Sequence, residues 1–215
     1  MAGQRSDLKQ KAYEYIKEKI VKCEWMPEED ISEDMLVNEM GVSRTPIREA
    51  LQRLENEKLV NIYPRKGVFV SSISVGIINS VFQVREIVEP QVLGKVIDRL
   101  PEEWLLNMRK RFLQSLSGAE GAWHNINIDR EFHSYIIKSS NNVYLIQLME
   151  SIFAQDERIR ILSWKFVKKA DVTNGEHLEI IDALLERDIS KAEACMRNHI
   201  VNARNSAISL EHHIK

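Results

Sequence analysis

Gly41-Val42-Ser43-Arg44-Thr45-Pro46-Ile47-Arg48-Glu49-Ala50-Leu51 is the stretch that decides the fold of this chain. It reads as a tight turn feeding a helix with two arginines near its start. Gly41 supplies the positive φ that a sharp turn between two helices requires. Ser43 or Thr45 is expected to cap the new helix, and Pro46 suits its first turn, where no backbone donor is missed. Ile47, Ala50, Leu51 and Leu54 recur at helical spacing and define a buried face, leaving Arg44, Arg48, Gln52 and Arg53 off it. Base-edge contacts come from the first turns of a recognition helix, and arginine is the commonest reader of guanine.

The flanks extend this reading. Upstream, Leu8 to Val21 is amphipathic, with Ala12, Tyr13, Ile16 and Ile20 on one stripe, and the pattern breaks at Trp25-Met26-Pro27. Ser32 then caps a short helix whose first turn holds Glu33 and Asp34, where acids suit the helix dipole. Two helices therefore meet across Gly41-Val42-Ser43, which is helix-turn-helix spacing. Downstream, Leu59 to Tyr63 reads as a strand, Pro64-Arg65-Lys66-Gly67 as a hairpin tip and Val68 to Ser71 as the return strand. Three helices and a hairpin with a basic tip make a winged helix, with Arg65, Lys66 and the Gly67 backbone placed near phosphates. The plain alternative for the opening motif alone is an ordinary solvated helix face.

Charge fits directed contact rather than a polycation. The chain has 215 residues with 30 Lys+Arg against 32 Asp+Glu, a net charge of −2. A basic excess is confined to Arg44–Lys66, through Arg44, Arg48, Arg53, Lys58, Arg65 and Lys66. The length suits two ordinary domains. Cys23 and Cys195 lie in helical patterns far apart and are read as reduced thiols. No signal peptide or membrane span is expected, so a cytoplasmic protein is expected, with frayed termini before Leu8 and after Ile208.

Gly41 to Leu51, with Leu54-Glu55 and the Arg65-Lys66-Gly67-Val68 hairpin, closely resembles the N-terminal winged-helix domain of GntR-type transcriptional regulators. The resemblance implies operator contacts from Arg44, Arg48 and Gly67. With the local reading, the candidate DNA-binding set is Arg44, Thr45, Arg48, Arg53, Arg65, Lys66 and Gly67. One departure stands out: Pro27-Glu28 occupies the place where the family usually has Pro-Gly.

A domain boundary is expected at Ser71 to Ser74, giving a DNA-binding domain over 1–72 and a helical domain over 75–215. Helices are expected over Val75–Leu100, Pro101–Leu116, Gly121–Ser139, Val143–Lys168, Thr173–Arg187 and Ile189–Ser209. Pro101 is placed in a first turn, and Thr173/Glu176 and Ser190/Glu193 are read as capping boxes. Helices without a sheet make an antiparallel bundle, so the whole chain is mainly α.

The bundle carries a second constellation. Asp129 and His133 stand four apart and so project from one helix face. His177 and His199 lie inside the last two helices, so three helices can aim one oxygen and three nitrogens at a point. Such an Asp/His₃ set suits zinc first, with nickel or manganese as alternatives, and leaves positions open for a ligand. Phe132, Tyr135 and Ile136 are expected to wall it. Separate core or surface histidines are the competing reading. His124, His212 and His213 are read as exposed.

Val84-Arg85-Glu86-Ile87-Val88-Glu89-Pro90, Asp129-Arg130-Glu131-Phe132-His133, Glu176-His177 and the late His199 resemble the FadR-type ligand-binding domain (FCD) of the same regulators. The resemblance implies a metal on Asp129, His133, His177 and His199 beside an effector pocket, with Arg85 pairing an effector carboxylate. The alternative for Arg85 is an ion pair with Glu86, Glu89 or another bundle acid. The reading is a repressor that binds operator DNA as a homodimer and is controlled by a small organic acid. Two alternatives remain open: a metallohydrolase, against which stands the missing general base, and a DNA-binding protein with a purely structural metal.

Overall fold

The computed structural model describes residues 2–116, 121–167 and 174–209. The chain divides into two compact units between Ile73 and Ser74. In the first, α1 (Ala2–Val21) is followed by β1 (Asp30–Ile31), α2 (Glu33–Met40), α3 (Arg44–Asn56), β2 (Val60–Tyr63) and β3 (Gly67–Val70). The strands form an antiparallel sheet in the order β1-β3-β2, with Val60 opposite Val70 and Tyr63 opposite Gly67.

The caps mostly follow the sequence. Ser32 Oγ accepts from Met35 N at 3.3 Å, and Gly41 ends α2 in the left-handed conformation at φ 64, its N–H bonded to Val37 O. Ser43 sits at the N-cap of α3 with extended backbone, but its side chain makes no capping bond. Pro46 falls in the first turn as expected. The apolar face of α3, Ile47, Ala50, Leu51 and Leu54, packs with Ala12, Ile16 and Ile20 of α1, Leu36 of α2, and Val60, Val68 and Val70 of the sheet. Burying these aliphatic side chains supplies the main stabilisation of the unit, each Val, Leu or Ile worth roughly 1.5–3 kcal/mol and each alanine less. The two-residue β1 escaped the sequence reading because two residues carry no periodicity. Cys23 lies buried just beyond α1, at φ 51, rather than within a helix.

The second unit is all helical among the described residues: α4 (Val75–Val96), a 3₁₀ turn (Ile97–Arg99), α5 (Glu102–Leu116), α6 (Gly121–Lys138), α7 (Val143–Val167), α8 (Asn174–Leu185) and α9 (Ile189–Ile208). Ser74 caps α4 through Ile77 N at 3.3 Å. Pro90 lies inside α4 and cannot bond the carbonyl of Glu86. Arg197 on α9 donates to that freed carbonyl at 3.3 Å, which helps fasten α9 along α4.

Three local expectations are corrected. Pro101 precedes α5 rather than occupying its first turn, its carbonyl accepting from Leu105 N at 3.1 Å. Asp188, not Ser190, caps α9, because its carboxylate reaches Lys191 N at 3.0 Å and starts the helix at Ile189, before a Ser190 cap allows. His124 is half-buried rather than exposed. Thr173 of the other capping box, and the tail after Ser209 with His212 and His213, lie outside the described residues.

Candidate metal centre

α6 carries Asp129 and His133 on one face, α8 brings His177 and α9 brings His199. One ligand atom from each lies within 4.8 Å of all the others. Asp129 Oδ1 stands 2.9 Å from His177 Nε2, 3.6 Å from His133 Nε2 and 3.9 Å from His199 Nε2. The two nitrogens of His133 and His177 are 3.3 Å apart. All four side chains are at most 3% exposed. Phe132 closes one side against His133 and His177, and Phe112 stacks on His177 at 4.2 Å. Tyr135 instead stacks on Trp104 at 4.0 Å.

His199 Nε2 is buried and makes no hydrogen bond, and Asp129 Oδ1 is buried with charged neighbours, Arg160 and His177 at 2.9 Å, but no aligned hydrogen bond. Leaving such atoms unmade is costly, and a metal ion satisfies both at once. The donor spacing is close to what an ion needs: ligands about 2.0–2.2 Å from one ion lie within about 4.4 Å of each other, and the four separations given above run from 2.9 to 3.9 Å. The residues present therefore fit a divalent metal.

The electrostatics favour neutral nitrogens facing a carboxylate. Burial pushes His199 well below the ordinary imidazole range, helped by His177 and His133. Burial likewise lowers His177, outweighing Asp129. His133 differs, because Glu89 and Asp129 outweigh its burial and raise it. Asp129 is held well below the carboxylate range, since Arg160 and His133 overcome its burial.

An outer ring of charge surrounds the four. Glu89 meets His133 Nδ1 and accepts from Arg85 Nε at 2.6 Å. Arg85 NH1 pairs with Asp156 at 2.8 Å, an ion pair without hydrogen-bond alignment. Asp156 pairs with Arg160 at 3.1 Å, and Arg160 with Asp129 at 2.9 Å. Arg85, the candidate effector contact, is thus enclosed at 0% exposure, in the arrangement of the ion-pair alternative. Asp156 and Arg160 were missed: each is one charged residue in a long helix, and their four-residue spacing was the available signal. Glu89 was named only as a possible partner of Arg85.

In the first unit, Arg44, Thr45 and Arg48 are exposed at the start of α3. Arg44 pairs with Asp34 at 2.7 Å and Arg48 with Glu33 at 2.8 Å. Arg53 departs from the expectation. At about 100° per residue, nine positions carry it to the side of α3 opposite Arg44. Its guanidinium lies 3.5 Å from the Tyr13 ring centroid and it bonds Gln10 on α1. Arg65 and Lys66 are exposed at the hairpin tip, Arg65 at φ 64 and Gly67 at φ 111. The positive φ favours glycine at position 67, and a Cβ there would also press on the Asp30 carboxylate at 3.2 Å.

Residues 8–70 match the family model of bacterial regulatory proteins of the gntR family, and residues 80–202 match the FCD domain. The chain belongs to the GntR family. It is a GntR-type transcriptional regulator with a winged-helix DNA-binding domain and an FCD domain, and not an enzyme. Its relatives include the HTH-type transcriptional repressor GlaR of Escherichia coli, 25% identical over 199 residues that cover 88% of this chain and 90% of GlaR. A solved GntR regulator from Rhodococcus sp. RHA1 shares the fold at a TM-score of 0.80, with 18% identity over 94% of this chain and 97% of the other. An FCD domain solved with Zn²⁺ bound covers 65% of this chain and 96% of its own length, with 21% identity and a TM-score of 0.53. Among the described residues no helix of this GntR regulator is long and apolar enough to cross a membrane.

Proposed function

We propose that this GntR regulator is a cytoplasmic repressor that binds a near-palindromic operator as a homodimer and answers to a small organic acid bound at a metal in its bundle. Arg44, Thr45 and Arg48 enter the major groove at the start of α3, while Arg65, Lys66 and the Gly67 backbone follow phosphates from the wing. Two copies are needed because one recognition helix reads too few base pairs for useful specificity. Asp129, His133, His177 and His199 hold the divalent ion, zinc being the ion that best suits three imidazoles and one carboxylate. A bound cation supplies an anchor for a carboxylate ligand. The ligand shifts operator affinity only as far as it favours one arrangement of the DNA-binding heads over another.

The observation that carries this reading is the buried Asp129/His133/His177/His199 cluster, in which His199 Nε2 makes no hydrogen bond, in a chain whose other unit is a winged helix. GlaR, a relative of similar length, is a repressor by name. The test is thermal-shift screening with a panel of organic acids, with and without added zinc, alongside operator binding by fluorescence anisotropy. Zinc-dependent stabilisation by one acid, with a change in operator affinity, is the expected result. Stabilisation by zinc but by no acid leaves the metal purely structural. A chain purified without chelators or a histidine tag that holds no divalent ion defeats the metal assignment.

A further inference from the structure

A histidine offers two ring nitrogens, and the one that faces a shared centre is fixed by what the other is bonded to. In this bundle two of the three cluster histidines have their outward nitrogen on a carboxylate. His133 Nδ1 meets Glu89 of α4, and His199 Nδ1 meets Glu176 of α8 at 3.0 Å. Each carboxylate is itself gripped by its other oxygen. Arg85 Nε donates to Glu89 Oε1 at 2.6 Å, and Asn202 Nδ2 donates to Glu176 Oε1 at 2.6 Å. Both imidazoles are thereby turned with Nε2 inward, and the inward nitrogen of His199 has no hydrogen-bond partner.

We propose that Arg85–Glu89 and Asn202–Glu176 are two positioning relays for the metal, so that Arg85 supports the ion through Glu89 and His133. The inference rests on the reading that the cluster holds a metal. A carboxylate on Nδ1–H selects the tautomer, stops the ring from turning and makes Nε2 a stronger donor. Arg85 holds Glu89 through Nε and Asp156 through Nη1, both inside a fully buried ring of charge, so removing its guanidinium would strand two carboxylates away from water, while Nη2 has no hydrogen-bond partner. The relays also differ in setting. Glu89 is sealed in the bundle core, whereas Glu176 stands in the first turn of α8 with about a quarter of its side chain exposed (24%).

The experiment measures the Zn²⁺ affinity of the full chain by competition with a chromophoric chelator, with no organic acid present. It compares wild type with Glu89→Gln, Glu176→Gln, Arg85→Lys and His177→Ala, and records the metal-free melting temperature of each. Glu89→Gln and Glu176→Gln are expected to weaken zinc binding by about 10- to 100-fold. Arg85→Lys is expected to weaken it by a smaller factor, and His177→Ala to abolish tight binding. A purely structural role would lower the metal-free melting temperature and leave zinc affinity unchanged. If wild type binds zinc and His177→Ala does not, while both glutamine variants stay within about twofold of wild type, the relays are overturned and the metal reading stands. If wild type binds no zinc, both fall. If Arg85→Lys keeps wild-type zinc affinity but weakens binding of an acid to the zinc-loaded protein, Arg85 is an effector contact and its relay is overturned. Should Glu89→Gln fail to fold, Glu176→Gln and Arg85→Lys decide the matter.

Discussion

Arg48 Nε donates to Glu33 Oε2 at 2.8 Å, so an acid in the first turn of α2 holds a recognition-helix arginine before DNA arrives. Arg48 is well exposed, at 63%, and a pair of this kind is worth at most about 1 kcal/mol. A bidentate contact to guanine is worth about 1–3 kcal/mol of discrimination, so DNA can take the arginine from Glu33. Arg48→Ala is therefore expected to weaken operator binding by roughly 10- to 100-fold and to relax base preference at one position of each half-site. Anisotropy titrations against single-base operator variants check this. Unchanged affinity and preference would remove α3 from the major groove.

Lys66 at the wing tip should behave differently. A phosphate contact carries no sequence information, so Lys66→Ala should weaken operator and random DNA by similar factors. The slope of log affinity against log salt should fall in magnitude by about 0.9. A loss confined to the operator would mean that the wing reads bases.

Glu28 explains its own place in the chain. Glu29 N bonds Met26 O at 3.1 Å, so Met26-Pro27-Glu28-Glu29 is a turn with proline second and Glu28 third, at φ 69. That third position favours glycine, and a residue with a Cβ is strained there by about 1–2 kcal/mol. The Pro-Gly of the resembling family is the unstrained form. Glu28→Gly is expected to stabilise the chain by up to about 1 kcal/mol after the entropy cost of glycine. Denaturant midpoints measure this, and a destabilised variant would show that the Glu28 side chain holds the turn.

The cluster also fixes a pH profile for the metal-free protein. His177 and His199 are lowered from 6.5 by burial, so the unfolded chain binds their protons first and stability falls as pH drops below about 6.5. His133 is raised, since Glu89 and Asp129 outweigh its burial, so its contribution is present below 6.5 and is lost as pH rises through its folded value. In chelator the melting temperature should peak near neutrality and decline on both sides. With zinc, the alkaline decline should vanish, because ligand histidines must be unprotonated. Melting curves from acid to mild alkali test this, and a peak unmoved by His133→Ala would discount the assignment.

Much of this was legible in residues whose neighbours in sequence are also their neighbours in space. Gly41 with its left-handed φ, the α3 stripe and the Tyr63–Gly67 hairpin depend on local geometry, so spacing found them. The Asp129/His133 step was legible for the same reason, and the places of His177 and His199 inside the last two helices already allowed them to converge upon it. What escaped was set by distant partners. Arg53 was counted with the DNA face, although Tyr13, forty residues earlier, draws it to α1. Glu176 was read as half of a capping box, yet its carboxylate is taken by His199 and Asn202. Asp156 and Arg160 complete a ring whose other members lie on α4 and α6, and their four-residue spacing within α7 does not say which partners they meet.

The burial of all four cluster side chains has a consequence in time rather than in affinity. Asp129, His133, His177 and His199 are contributed by α6, α8 and α9, and at 0–3% exposure they present almost no face to water. An ion seated among them leaves only when one of those helices parts from its neighbours, so its exchange runs at the rate of local opening. Such openings are rare in a packed bundle, and the residence of the ion then outlasts many rounds of DNA association. A cell that changes its free zinc for a short interval would leave the loaded protein unaltered. On the proposed reading the ion would be the slow variable, and a small molecule bound beside it the fast one.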